Sequence, residues 1–248
     1  MERIEMDVDG LKISVLKSKQ TPVFYIHCSG CDATLWRSQL EVVGGYAIDL
    51  PNHGRSSEAE IHTIDDYAYF AYRVIKKLLK RAIVAGHSLG GAVAQRIYLE
   101  YRRVVKALIL VGTGARLRVL PSILNGLRDN PDETIETIAK MSCVNEDVIK
   151  ICKEMFSNRT RVMLRDLLLC DKFDLLEKYK SGEIKIDVPT LIIVGEDDRL
   201  TPVKYSKFFN QYIPNSKLVI VPDSGHMVML EKPNEVNRSI LEFVKSID

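Results

Sequence analysis

Ala82-Ile83-Val84-Ala85-Gly86-His87-Ser88-Leu89-Gly90-Gly91-Ala92-Val93 is the stretch on which the fold turns. A short apolar, strand-like run, Ala82 to Ala85, leads into Gly86, and an apolar helical pattern from Leu89 to Tyr101 begins directly after Ser88. A serine displayed on so tight a strand-to-helix turn has an exposed hydroxyl. Side chains two before and two after it would collide, and Gly86 and Gly90 meet that demand. With Gly and Ser each at about 7 %, G-x-S-x-G arises by chance in about one chain in twelve of this length. The strand before and the helix after separate this serine from an incidental glycine turn.

Outward from that turn, compact apolar runs rich in β-branched residues recur at Val23 to Ile26, Tyr46 to Leu50, Val105 to Val111, Thr190 to Val194 and Leu218 to Val221. Such runs suit strands buried on both faces. Helical patterns lie between several of them, at Ile64 to Leu79 and Val203 to Tyr212, with another at Glu235 to Val244 after Pro233. This alternation predicts an α/β fold with a mostly parallel, doubly wound sheet and helices on both faces. Residues 3 to 17 read as two alternating strands around Asp9-Gly10, a dipeptide suited to a hairpin turn. Residues 114 to 187 contain no convincing strand, but carry helix starts at Asn130-Pro131-Asp132-Glu133 and Asn145-Glu146-Asp147, and further helical patterns at Val162 to Cys170 and Phe173 to Tyr179. The expected organisation is therefore a core of residues 1–113 and 188–248 with an all-helical insertion, 114–187.

The 248 residues carry 35 Lys and Arg against 33 Asp and Glu, a net charge of +2, and 46 % are hydrophobic. Such a chain can bury a sizeable core, and lacks the concentrated basic face that gripping nucleic acid requires. The start, Met1-Glu-Arg-Ile-Glu-Met-Asp7, has no basic and then apolar leader, and no window of 18 residues is continuously apolar, so neither secretion nor a membrane span is expected. Five cysteines, an odd number without a framework spacing, suit a reducing cytoplasm. A monomer or homodimer is expected.

A serine hydroxyl needs a base within hydrogen-bond reach. Of five histidines, His226 is the best placed. It follows the apolar run Leu218 to Val221, so its loop leaves the same end of a parallel sheet as Ser88. The base in turn needs a carboxylate to hold its tautomer. Glu196, Asp197 and Asp198 sit together after Thr190 to Val194, whereas Val111-Gly-Thr-Gly114 holds no acid. Cys28-x-x-Cys31 interrupts a Ser/Gly-containing loop rather than opening a helix, and reads as two ordinary thiols. No cofactor is implied, because the histidines and cysteines lack ligand spacing.

The order Ser88, Asp198, His226 resembles that of the α/β-hydrolase superfamily, and capped carboxylesterases in particular. The resemblance covers nearly the whole chain. Asp49-Leu-Pro-Asn-His-Gly54-Arg-Ser56 is similar to the family's D-x-P-x-x-G-x-S turn. Gly195-Glu-Asp-Asp198-Arg-Leu-Thr-Pro202 resembles its acid loop, and Ser224-Gly-His226-Met-Val-Met-Leu-Glu231-Lys-Pro233 its histidine loop. It implies Ser88 as nucleophile, His226 as base and Asp198, three after the glycine, as orienting acid. It also implies an oxyanion hole built from the N–H groups of Leu89 and Ser29. Family members usually carry His-Gly where this chain has His27-Cys28, so a Cβ stands in place of a glycine. His27 and Met227 are the candidate substrate contacts. The implied activity is hydrolysis of a carboxylic ester or related small acyl substrate, with the helical insertion covering the site. Lactonase, thioesterase, C–C bond hydrolase, cofactor-free haloperoxidase and acyltransferase chemistry share the scaffold, as would a non-catalytic ligand-binding protein.

Overall fold

A computed structural model describes residues 1–247. The chain opens with β1 (Glu2–Val8) and β2 (Leu11–Lys17), paired antiparallel through a two-residue turn. Asp9 and Gly10 there both have positive φ, 54° and 82°, as a turn matching the strand twist requires. β3 (Val23–Ile26), a 3₁₀ turn at Ala33–Trp36, α1 (Arg37–Val42) and β4 (Tyr46–Ile48) follow. Next come α2 (Ile64–Leu78), β5 (Ala82–His87), α3 (Leu89–Glu100) and β6 (Val105–Val111). Between β6 and the next strand lie α4 (Pro121–Asp129), α5 (Pro131–Ser142), α6 (Glu146–Ser157), α7 (Thr160–Lys172) and α8 (Leu176–Lys180). The chain ends with β7 (Thr190–Gly195), α9 (Val203–Tyr212), β8 (Ser216–Val221), α10 (Val228–Glu231) and α11 (Pro233–Ile247).

The strands form one eight-stranded sheet, ordered β1-β2-β4-β3-β5-β6-β7-β8. Every pairing from β4 to β8 is parallel, so the chain leaves each of these strands toward one common edge. Period-2 alternation distributes the strand residues between two apolar layers. Phe24, Ile26, Val84, Leu108 and Ile192 pack with α2, α3 and α9 through Ala71, Ile75, Ile97 and Phe209. Tyr25, Ala47, Ile83, Ile109 and Ile193 pack on the other face with α1 and α11 through Leu40, Val236 and Ile240.

β8 departs from the expectation of strands buried on both faces. It closes one edge of the sheet, and its Ile220 is 39 % exposed. The helix predicted from Phe173 to Tyr179 is confined to α8, starting three residues later and ending at Lys180, with the Asp174 carboxylate accepting the Leu176 N–H ahead of it. The segment from α8 toward β7 lies on the body of the sheet: Tyr179 donates to Gln95 Oε1 (3.2 Å), and Ile184 and Ile186 share the layer of α2 and α3. Within the stretch predicted as one insertion, the end of α7 (Leu169, Cys170) shares this layer with α8, whereas the buried apolar side chains of α4 to α6 belong to the other.

Candidate active site

β5 delivers Ser88 in a conformation that few L residues adopt, φ 54° and ψ −115°. Its N–H donates to Val111 O (3.0 Å) and its carbonyl accepts from Thr113 Oγ1 (2.8 Å), so the neighbouring strand end braces the turn. A Cβ on Gly86 would lie 2.0 Å from Gly90 O, and one on Gly90 would lie 2.3 Å from Ile26 O. Those are backbone atoms that cannot swing aside, which gives G-x-S-x-G its steric reason here.

Asp198 and His226 meet although 28 residues separate them. His226 Nδ1 lies 2.9 Å from Asp198 Oδ2 and 3.1 Å from Thr201 Oγ1, while the Thr201 hydroxyl donates to Asp198 Oδ2 (2.8 Å). Asp198 Oδ1 accepts the Leu200 and Thr201 N–H groups at 2.9 and 2.7 Å. Burial by itself would raise this carboxyl, but the His226 charge and hydrogen bond, with the Thr201 donors, overcome it and hold it at about 2. The carboxylate is thus ionised, and it fixes the His226 proton on Nδ1, leaving Nε2 as the free base position.

His87 braces the same histidine from behind. Its Nε2 donates to the His226 carbonyl (2.9 Å), the two rings lie 4.5 Å apart, and burial first, then the His226 charge, pushes its pKa well below the usual imidazole range. Glu231 ties the histidine loop to the helices above it, accepting from Gly225 N–H (2.6 Å) through one oxygen and from the Val144 and Asn145 N–H groups (2.7 and 2.8 Å) through the other.

The two candidate oxyanion donors lie at the start of α3 and in the loop after β3. Leu89 is the first residue of α3, so its N–H has no intrahelical partner. Ser29 lies in the loop after β3, and among the described residues no protein acceptor takes its N–H. Cys28 is not among the residues with positive φ, so the backbone there admits a Cβ, and the left-handed position of the loop is Gly30, φ 67°. Cys28 and Cys31 are free, with Sγ atoms 3.1 Å apart. The Cys28 hydrogen bond, then burial, pushes the Cys31 thiol well above its ordinary value, opposite to a reactive CxxC pair.

Ser88 and His226 line one cavity of ≈ 130 Å³, walled by Leu117, Leu120, Ile123, Ile138, Met141, Leu167 and Leu200, with Arg118 and Arg199 among its polar lining. The α4, α5 and α7 side chains in that wall come from the predicted insertion. A larger cleft of ≈ 280 Å³ between His62–Asp65 and Lys172–Leu175 contains neither Ser88 nor His226.

The two expected substrate contacts are corrected. His27 is fully buried, donating through Nδ1 to Cys28 O (2.8 Å) and accepting the Leu50 N–H at Nε2 (3.1 Å). Burial, then the His53 charge, lowers its pKa to about 4, and both ring nitrogens are committed to the scaffold. Met227 is 1 % exposed and packs in the core layer of α11; Met141 is the methionine in the cavity wall. Thr201 lies within the acid loop, and a hydroxyl three residues after an aspartate is the sequence signal for its role. Thr201→Val keeps the volume and removes the hydroxyl. It is expected to lower kcat about tenfold, the effect of one hydrogen bond to a charged group, with KM within about twofold; steady-state kinetics on a chromogenic ester checks it.

A serine on a strained turn at the carboxyl edge of a parallel sheet, sharing a cavity with a carboxylate-bound histidine, is the arrangement of an α/β-hydrolase fold enzyme. Comparison with known proteins bears this out: the model of the alpha/beta hydrolase family matches residues 23–239, and the chain belongs to that family. The solved structure of a thermophilic esterase is 52 % identical and superposes with a TM-score of 0.97 over 99 % of this chain and 98 % of that one. An uncharacterised hydrolase of Bacillus subtilis, YugF, is 25 % identical over 85 % of this chain and 82 % of its own length. The 2-hydroxy-6-oxo-6-(2'-aminophenyl)hexa-2,4-dienoic acid hydrolase of Metapseudomonas resinovorans is 27 % identical over 96 % and 89 %. No helix among the described residues is long and apolar enough to cross a membrane, and none of their His, Cys, Asp and Glu side chains form a group of three or more able to hold a metal ion.

Proposed function

We propose that this enzyme hydrolyses carboxylic esters with short acyl chains through a covalent acyl-enzyme. The observation that carries the reading is Ser88 facing the same cavity as His226, whose Nδ1 is 2.9 Å from Asp198. The Ser88 hydroxyl attacks the ester carbonyl as His226 Nε2 takes its proton. The N–H groups of Leu89 and Ser29 bind the oxyanion, and His226 returns the proton to the departing alcohol. Water, activated by the same imidazole, then releases the acid. Asp198 keeps the imidazole in register and stabilises its charged form.

The choice of ester follows the 52 % identical thermophilic esterase. The size of the acyl group follows from the cavity: ≈ 130 Å³ is slightly less than the ~150 Å³ that accommodates benzene, so about five or six heavy atoms fit. Within residues 114–187, α4, α5 and α7 act as the specificity cap by supplying the acyl wall. Five buried free thiols suit a reducing compartment such as the cytoplasm.

A fluorophosphonate probe should label Ser88 in the folded protein. A panel of p-nitrophenyl esters from acetate to decanoate should give kcat/KM highest at two to six carbons, roughly the chain length that the cavity admits, and falling beyond. A maximum at decanoate would refute the short-chain assignment. Labelling without ester turnover would point to lactone, C–C or acyl-transfer chemistry, and no labelling would end the serine-hydrolase reading.

A further inference from the structure

We propose that Asp166, on α7 and outside every motif of the site, is a positioning residue for catalysis, holding the loop His27–Asp32 so that the Ser29 N–H faces the oxyanion. The inference rests on the proposed function, since it concerns the second oxyanion donor of that reaction.

Asp166 is fully buried, and its carboxylate gathers three donors from three separate segments: the Gly30 N–H (3.1 Å), His53 Nε2 (2.8 Å) and the Tyr67 hydroxyl of α2 (2.7 Å). His53 Nδ1 is 2.9 Å from the Pro51 carbonyl, so both ring nitrogens of His53 face oxygen acceptors. His53 and Asp166 are a hydrogen-bonded pair sealed inside the protein. Burial would raise the carboxyl, but the charge and hydrogen bond of His53, followed by Tyr67 and Gly30, hold it below its ordinary value.

The rest of α7 grips the same loop. Arg159, at its start, donates to Asp32 Oδ2 (2.6 Å) and Gly30 O (3.4 Å), so both the N–H and the C=O of Gly30 are held by this helix region. A Cβ on Gly30 would lie 2.6 Å from Met163 Cε, which leaves no gap between helix and loop. Ser29, the donor, immediately precedes the anchored glycine. The segment forming the acyl wall thus also sets the oxyanion hole, and a donor misplaced by about 1 Å costs on the order of a hundredfold in rate.

The test replaces the polar cluster with apolar groups of similar size, Asp166→Leu/His53→Leu/Tyr67→Phe, because such a swap preserves packing while leaving the Gly30 N–H unheld. On p-nitrophenyl butyrate, kcat should fall about 10- to 100-fold with KM within about threefold. The inhibition constant of a trifluoromethyl ketone, which forms an oxyanion on Ser88, should rise by the same factor, while inhibition by butanol, which needs no oxyanion hole, stays put. Asp166→Asn/His53→Gln, which keeps an acceptor for Gly30, should recover kcat to within about fivefold of wild type. If the apolar variant does not fold, Arg159→Met leaves the buried cluster intact and should show the same split at about 3- to 10-fold. A folded variant with wild-type kcat and ketone affinity would overturn the proposal, as would a parallel loss of ketone and butanol affinity. Wild-type protein that neither cleaves the ester nor takes up the ketone would instead refute the proposed function.

Discussion

Ser88→Ala is expected to lower kcat on p-nitrophenyl acetate by about 10⁴- to 10⁶-fold while leaving the fold intact, the range seen when a serine nucleophile is removed and binding and oxyanion groups remain. The hydroxyl is the only atom lost. Alanine at φ 54° is about as strained as the serine already there, so the thermal transition should hardly move. His226 and Asp198 keep their 2.9 Å contact, because no hydrogen bond of that pair runs through Ser88. KM should change by less than about threefold, since the apolar wall that binds the acyl group is untouched. The residual rate then measures what binding and the N–H groups of Leu89 and Ser29 achieve without a covalent step. Fluorophosphonate labelling should vanish along with turnover. More than about 1 % of wild-type kcat in a folded variant would place the nucleophile on another residue, because 1 % amounts to only about 2.7 kcal/mol of lost transition-state stabilisation.

What could be read from the sequence was whatever local sterics enforce. Gly86 and Gly90 are legible because any Cβ there would strike backbone, and the buried strands β3, β5, β6 and β7 because a parallel strand covered on both sides must be apolar throughout. β8 misleads because Leu218 to Val221 has the same composition but closes the sheet, and nothing local distinguishes an edge strand. α1 and α4 escaped because six and nine residues offer too little periodicity, although Pro121 stands at the favoured first position of α4. His27 has the identity of a ligand-binding side chain and the position of a scaffold one; only the Cys28 carbonyl and the Leu50 N–H around it decide. Asp166 carried a weak signal, an acid at i+3 between the buried Met163 and Leu169 of α7, but its partners Gly30, His53 and Tyr67 lie about 100 residues or more away in the chain. Long-range polar clusters have no period, so sequence pattern is blind to them.

Those long-range contacts also bear on how the helices between β6 and β7 relate to the sheet. Glu231 fastens the histidine loop to the α5–α6 turn, and Arg159 and Asp166 fasten α7 to the loop after β3. The histidine loop and the loop after β3 are therefore each tied to these helices through acidic or basic side chains. A segment bonded in this way cannot swing open as a free flap without disturbing both the base and the oxyanion donor.

Asp198→Asn should lower kcat by about 10⁴-fold, while Asp197→Asn changes it by less than about threefold, which separates two adjacent acids that composition alone leaves equivalent. All acceptor positions of Asp198 are in use. Oδ1 takes the Leu200 and Thr201 N–H groups, and Oδ2 takes the Thr201 hydroxyl and His226 Nδ1. The backbone N–H groups cannot become acceptors, so the asparagine oxygen must stay with them and the new NH₂ must face His226. A donor there drives the imidazole proton to Nε2, the atom that has to receive the proton of Ser88. The geometry survives and the base is lost. Asp197 is exposed; its N–H donates to Ser224 O at 2.9 Å, a bond that any residue at that position would make. The acid range gives an independent sign. The folded carboxyl of Asp198 lies at about 2, below its ordinary 3.8, so the stabilisation it brings is complete above the higher value and disappears only as pH falls through the lower one. Loss of wild-type activity well above pH 3.8 therefore does not report protonation of Asp198. Equal damage from the two asparagine variants, measured by kcat and checked by thermal unfolding, would show that the His226 tautomer is held by something other than Asp198.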